Sequence, residues 1–133
     1  MKIWILGFAL IHILFLFGCT ETNSEETRTH EEQITSTSNL PPQFIKGEEL
    51  FHARCAACHG EKAKGTDKGP SFISKIYEPN HHGDASFHLA VRNGVRAHHW
   101  KFGDMPKLPG VPQEEVTHII GYVRWLQKQA GIF

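Results

Sequence analysis

The pattern of apolar and polar residues divides the chain into three parts. Residues 3–17 form an almost continuous apolar run that only His12 interrupts. Residues 20–40 are polar, with nine Ser or Thr, five Glu and only two large apolar side chains. After residue 43, apolar positions recur at helical spacing between loops rich in Gly and Pro. The pattern predicts a small all-α domain behind a polar, disordered tether.

The clearest predicted helix spans residues 113–129. Its apolar residues recur at intervals of three and four: Val116, Ile119, Ile120, Val123 and Leu126. A first helix is predicted over residues 43–57, with an apolar side formed by Ile45, Leu50 and Phe51.

A shorter helix is predicted over residues 84–93. Asp84 is a suitable N-cap, and Gly94 suits the position after the helix. Residues 60–80 and 101–112 contain the Gly and Pro residues that predict loops.

Charge separates the tether from the domain, although the formal net charge of the whole chain is zero. The tether holds five Glu against one Arg, whereas residues 41–133 hold twelve Lys or Arg against nine Asp or Glu. No cluster of Lys and Arg is interleaved with aromatic residues, so the sequence does not predict nucleic-acid binding. The length suits one small domain with a modest core.

The segment Cys55-Ala56-Ala57-Cys58-His59 is the attachment signature of c-type haem. Two thiols at this spacing can each add to one vinyl group of a porphyrin. The following histidine can then occupy an axial position on the iron. The sequence therefore predicts one covalently bound haem.

Other interpretations of the two thiols are weaker. A structural zinc site needs four ligands, and Cys19 is the only other cysteine. A thioredoxin-like dithiol would accompany a βαβ pattern, which is absent from the sequence. A disulfide scaffold favours an even number of cysteines.

The apolar run near the N-terminus is short for a membrane-spanning helix and fits an export signal. It ends in Leu16-Phe17-Gly18-Cys19, which resembles the signal of bacterial lipoproteins, although Phe17 is bulky for its position. The resemblance implies a signal peptide over 1–18 and a lipidated Cys19 that begins a linker over 19–42. An ordinary cleaved signal and a short uncleaved anchor are the alternatives. Each of the three predicts export.

Residues 43–133 resemble the class I c-type cytochromes, and several motifs carry the resemblance. Residues 44–51 are similar to the first helix of the family, Gly69-Pro70 to its proximal loop, and Gly103-Asp104-Met105-Pro106 to its distal loop. The resemblance implies that Gly47 and Phe51 contact the last helix at Ile119 and Tyr122.

The resemblance also implies the roles of the site residues. Cys55 and Cys58 would bind the porphyrin, and His59 and Met105 would be the axial ligands. The carbonyl of Pro70 would accept a hydrogen bond from His59. Met105 is the only methionine after Met1, and a buried core methionine is the alternative interpretation.

Five histidines lie between residues 81 and 99: His81, His82, His88, His98 and His99. His98 or His99 could replace Met105 as the axial ligand. Surface or supporting roles are the plain interpretation of most of them. A second metal site that uses His81 or His82, with copper as a candidate, is the other.

The resemblance implies a non-enzymatic electron-transfer protein with haem c, tethered to the membrane through Cys19 on the periplasmic or extracytoplasmic side. Redox proteins would be its partners. One alternative is an electron-input subunit of a larger oxidase, reductase or dehydrogenase. A haem-based gas sensor, which requires a weak or absent sixth ligand, is the other.

Overall fold

The computed structural model describes residues 39–132. The predicted signal peptide, Cys19 and all of the predicted tether except its last residues lie outside this range. None of the helices in this range is long and apolar enough to cross a membrane.

Four α-helices build the described part of the chain: α1 Pro42–Arg54, α2 Ala56–His59, α3 Asp84–Asn93 and α4 Gln113–Gln129. Two single 3₁₀ turns, Glu61–Ala63 and Lys75–Tyr77, lie in the loop between α2 and α3. Residues 39–132 contain no β-strand, and one isolated bridge pairs Val95 with Met105. The all-α prediction is confirmed.

Helix α1 begins at Pro42, directly after the N-cap residue Pro41, and a proline fits there because the first helical N–H groups have no partner within the helix. It ends at Cys55, whose φ of −124° interrupts the helix before α2 begins. The prediction of one continuous helix over 43–57 is therefore wrong at this point.

The core forms where α1 packs against α4. Leu50 and Phe51 are buried on α1, whereas Ile45 is 44% exposed and does not belong to the apolar side predicted for it. Ile45 lies two residues before Gly47, which contacts α4. Two residues correspond to about 200° around a helix, so Ile45 faces away from α4.

Gly47 lies at the crossing of α1 and α4, as the sequence predicts. A Cβ atom at this position would collide with the carbonyl oxygen of His118 and lie 2.9 Å from the Cβ of Tyr122. Phe51 lies one turn further along α1 and contacts Tyr122, with 5.7 Å between ring centroids. The absence of a side chain at Gly47 allows this close approach.

The buried residues form two clusters on α4. The larger consists of Leu40, Leu50, Phe51, Ala56, Ala63, Ile119, Tyr122 and Val123. The smaller consists of Val91, Val116 and Ile120 and connects α4 to α3. Leu40, assigned to the linker from the sequence, is 8% exposed, so packing begins just before α1.

Helix α3 has the predicted bounds but not the predicted cap. Gly83 is the N-cap residue, and Asp84 is the first helical residue, where its charge complements the helix dipole. The Asp84 carboxylate instead accepts a hydrogen bond of 2.8 Å from Nε of Arg124. Gly94 ends the helix with a φ of 75°, a conformation that favours glycine.

The crossing predicts opposite effects of alanine at two helical glycines. We expect Gly47→Ala to lower the free energy of unfolding by about 1–3 kcal/mol because the added methyl group meets backbone atoms. Gly121→Ala is the matched control, because its Cβ would only touch the Phe44 ring at 3.7 Å. We expect this control to raise stability by up to about 1 kcal/mol through helix propensity. Urea unfolding of the haem-loaded protein measures both, and a neutral or stabilising Gly47→Ala would contradict the close crossing.

Candidate cofactor site

The two thiols lie on either side of the junction between α1 and α2. Cys55 is the residue at which α1 ends, and its carbonyl accepts hydrogen bonds from the amides of Cys58 and His59 at 3.1 and 2.9 Å. Cys55 is partly buried and Cys58 is exposed. One short turn therefore holds both thiols and the histidine in a fixed order.

The thiol of Cys55 is not activated. Burial, assisted by Cys58 and opposed by Arg54, raises the pKa of Cys55 to about 11. A thiol that stays protonated near neutral pH is a poor redox nucleophile. This environment argues against the dithiol interpretation of the pair.

His59 is buried, and the structure contains its expected contact with Pro70. The Nδ1–H group donates to the Pro70 carbonyl at 3.0 Å, since a carbonyl can only accept. The ring stacks on Phe72, with 4.2 Å between centroids. Desolvation lowers the pKa of His59, and the Pro70 hydrogen bond opposes it only in part. His59 is therefore a neutral imidazole whose Nε2 lone pair is available to a metal.

The loop after His59 folds back tightly to bring Pro70 to the histidine. The amide of Gly65 donates to the His59 carbonyl at 2.6 Å, and Thr66 hydrogen-bonds to the Cys58 carbonyl. Gly69 packs against Cys58 so closely that a Cβ would lie 2.8 Å from the Cys58 carbonyl oxygen. The glycine before Pro70 is therefore required for the approach that makes the His59 contact.

Met105 is held by backbone hydrogen bonds in the second loop. Its N–H and C=O groups each pair with Val95 at 2.9 Å. A Cβ on Gly94 would lie 2.6 Å from the Met105 carbonyl oxygen, so the loop closes onto the end of α3 only because that residue is glycine. Met105 is partly buried, whereas His98 and His99 are exposed.

These residues share one cavity of about 430 Å³. Its lining includes both thiols, His59, Pro70 and Met105. Most of its wall is apolar and includes Phe72, Phe87, Leu89, Val91, Val95, Trp100, Phe102, Leu108, Val116 and Ile119. An apolar cavity with two thiols, one neutral imidazole and one thioether matches the chemistry of a haem bound covalently at one edge.

Four of the five histidines singled out in the sequence gather beside this cavity. His82, His98 and His99 line it. His81 lies next to them, with its Nε2 3.3 Å from Nε2 of His99. His88 is apart from the group and pairs through Nδ1 with Oε1 of Gln113 at 2.9 Å.

Arg124 and Gln127 were not identified from the sequence, and they connect α4 to the loop before α3. Arg124 donates to the carbonyls of Tyr77 and His82 at 2.6 and 2.7 Å, besides its bond to Asp84. Gln127, which is fully buried, donates to the carbonyls of Phe72 and Tyr77 at 2.9 and 3.0 Å. The position of Gln127 was the available signal, because it continues the buried stripe of Ile119 and Val123.

Comparison with known proteins places this geometry among the cytochromes. The sequence model of the family described as cytochrome c matches residues 44–127. Cytochrome c-551 of Bacillus subtilis (strain 168) is 26% identical over 129 residues, which cover 97% of this chain and 96% of that protein. The crystal structure of cytochrome CL from the marine methylotrophic bacterium Methylophaga aminisulfidivorans MPT has a similar fold. Its TM-score is 0.52 at 24% identity, and the match covers 88% of this chain and 78% of that one.

The Arg124 contacts predict a large loss of stability on substitution. We expect Arg124→Leu to lower the free energy of unfolding by about 2–4 kcal/mol because it removes the donor to the His82 carbonyl, one of the two donors to the Tyr77 carbonyl, and the partner of Asp84. Arg92→Leu, at an exposed site in the last turn of α3, is the control, with an expected loss below about 1 kcal/mol. Denaturant unfolding of the haem-loaded proteins provides the comparison. Equal stability of the two variants would show that Arg124 does not hold the loop.

Proposed function

Because this chain belongs to the class I c-type cytochromes, electron-transfer proteins that hold haem c covalently, we propose that it is a membrane-anchored carrier of single electrons between redox proteins outside the cytoplasm. The observation that carries the proposal is the shared apolar cavity, which brings two thiols together with a neutral imidazole and a thioether. When bound, haem c supplies a one-electron iron couple.

The chain's own residues would fill every bonding position of that cofactor. Cys55 and Cys58 would form the thioether bonds, and His59 would coordinate through Nε2. The hydrogen bond to Pro70 supports this role because it fixes the tautomer and the orientation of the ring.

Met105 is the proposed sixth ligand. Its backbone pairing with Val95 supports this role because it fixes a partly buried thioether in the wall of the cavity. A thioether is neutral and soft, and it favours the reduced iron. His98 is the less suitable candidate because its side chain is exposed, whereas Met105 is partly buried. If His59 and Met105 both bound the iron, these residues would leave no position for a substrate, which favours electron transfer over gas binding.

Redox partners would approach the open side of the cavity. Leu89 and Phe102 line the cavity, yet they are 45% and 40% exposed. Exposed Arg96 and Lys101 neighbour cavity-lining residues in the sequence. We propose that these apolar side chains contact the partner, with the weakly basic charges orienting it.

The membrane anchor is the proposed lipid on Cys19, which lies outside the described residues. The lipoprotein-like ending of the apolar run supports it. The similarity to cytochrome c-551 spans 129 residues and thus includes part of the chain before the family match. A polar linker between Cys19 and α1 would let the domain move near the membrane surface.

We expect Met105→Ala to lower the reduction potential of the haem-loaded protein by at least about 59 mV, which is a tenfold change for one electron. The reason is the loss of the soft axial ligand, and the optical band from thioether-to-iron charge transfer should disappear with it. Leu89→Ala, at an exposed wall position, should keep the band. An unchanged potential and band in Met105→Ala would contradict the assignment, as would ready binding of carbon monoxide to the reduced wild-type protein.

We expect Cys19→Ser to release the haem protein from the membrane fraction into the soluble fraction. The physical reason is that acyl chains on this cysteine would supply most of the membrane affinity. The mass of the mature N-terminus should be determined at the same time, because an uncleaved signal would also retain the protein. If cleaved Cys19→Ser protein stays with the membrane, lipidation is not its anchor.

A further inference from the structure

Three imidazole rings meet at the edge of the cavity. The ring nitrogens of His81, His82 and His99 that could bind a metal all lie within 4.8 Å of one another. His81 and His99 are exposed, and His82 is partly buried. The group contains no carboxylate and no thiol, so its donors are all aromatic nitrogens.

The spacing of two of these nitrogens matches that of ligands on one ion. Nε2 of His81 and Nε2 of His99 are 3.3 Å apart. Zinc–nitrogen bonds of 2.0–2.1 Å with tetrahedral angles place two nitrogens roughly 3.3–3.4 Å apart. A hydrogen bond between the rings would account for this pair but not for the third ring beside it.

His82 is oriented as metal-binding histidines are. Its Nδ1–H donates to the Ile76 carbonyl at 2.6 Å, so the lone pair is on Nε2. Hydrogen bonding of the other ring nitrogen to a carbonyl fixes the tautomer and direction of a ligating imidazole. Arg124 holds the backbone carbonyl of the same residue at 2.7 Å.

The two chain segments that carry the histidines are fixed to each other. The amides of His81 and His82 donate to the Glu78 carbonyl at 3.0 and 2.8 Å and form a turn. The indole of Trp100, next to His99, donates to the hydroxyl of Tyr77 at 3.2 Å. The three rings are therefore brought together by the fold.

From this geometry we propose that His81, His82 and His99 form a second metal site that binds one divalent transition-metal ion of the zinc and copper class. Neutral imidazoles suit these ions and not magnesium or calcium, which require oxygen ligands. Three protein ligands leave a fourth position open to water or to His98, whose ring lies 4.3 Å from that of His99.

Equilibrium dialysis of Zn²⁺ against the full-chain, haem-loaded protein without a histidine tag tests the proposal. In the haem-loaded protein Cys55 and Cys58 are thioethers and do not compete for zinc. We expect one Zn²⁺ per protein, and affinity at least about tenfold weaker in His81→Ala and in His99→Ala. His118→Ala, which removes an exposed histidine from α4, is the control and should bind as the wild type does. With Cu²⁺ as the probe, the electron paramagnetic resonance spectrum should show nitrogen hyperfine splitting that changes in both variants.

Several results would overturn the site: no saturable Zn²⁺ binding, undiminished affinity in a His81→Ala/His99→Ala double variant, or an equal loss in His118→Ala. Unchanged haem absorption and circular dichroism in each variant show that it is folded. The test is independent of electron transfer, because the wild-type haem spectrum and potential report on that function whether or not zinc binds.

Discussion

The close crossing of α1 and α4 at Gly47 is the constraint on which the rest of the structure depends. It brings the backbone of one helix against the His118 carbonyl of the other and aligns Phe51 with Tyr122. Since α2 follows α1 after the interruption at Cys55, the crossing also determines where Cys58 and His59 lie. A shift of this helix pair would move both thiols relative to the wall that α4 contributes through Val116 and Ile119.

The polar residues of helix α4 have a second role. In the loop over 72–82, Arg124 and Gln127 donate hydrogen bonds to the carbonyl groups of Phe72, Tyr77 and His82. An apolar cavity with an irregular wall needs such donors, because backbone carbonyls removed from water must be hydrogen-bonded. Helix α4 thus supplies apolar side chains that line the cavity and also the hydrogen-bond donors that hold the loop over 72–82.

The sequence predicted those parts of the molecule that depend on local patterns. The bounds of α4 were predictable because its apolar residues recur at helical spacing from Val116 to Leu126 and polar residues flank them on both sides. The break at Cys55 was not, because the helical pattern continues through it and the cause lies in the turn that follows. Asp84 has the chemistry of an N-cap, yet a partner 40 residues away in the sequence determines its actual contact.

The cofactor site shows the same difference between features set by local sequence patterns and features set by contacts between distant residues. The motif at residues 55–59 pointed to the two thiols and His59 because haem attachment requires that spacing. The Gly69-Pro70 pair was implied by the family resemblance, and the structure contains the contact of His59 with Pro70. The density of histidines between 81 and 99 was visible in the sequence, but which of them meet was not. That depends on the Tyr77–Trp100 contact between two separate loops.

The contact between His59 and Pro70 uses a main-chain oxygen, which every amino acid possesses. Replacing the proline side chain therefore retains an acceptor atom at this position, whereas a Cβ on its neighbour Gly69 would lie 2.8 Å from the Cys58 carbonyl oxygen and force the loop to shift. Evolution can consequently preserve this bond without preserving the residue that makes it. A comparison of homologues by side-chain identity would therefore show the requirement for this hydrogen bond at Gly69 and not at Pro70, the residue that accepts it.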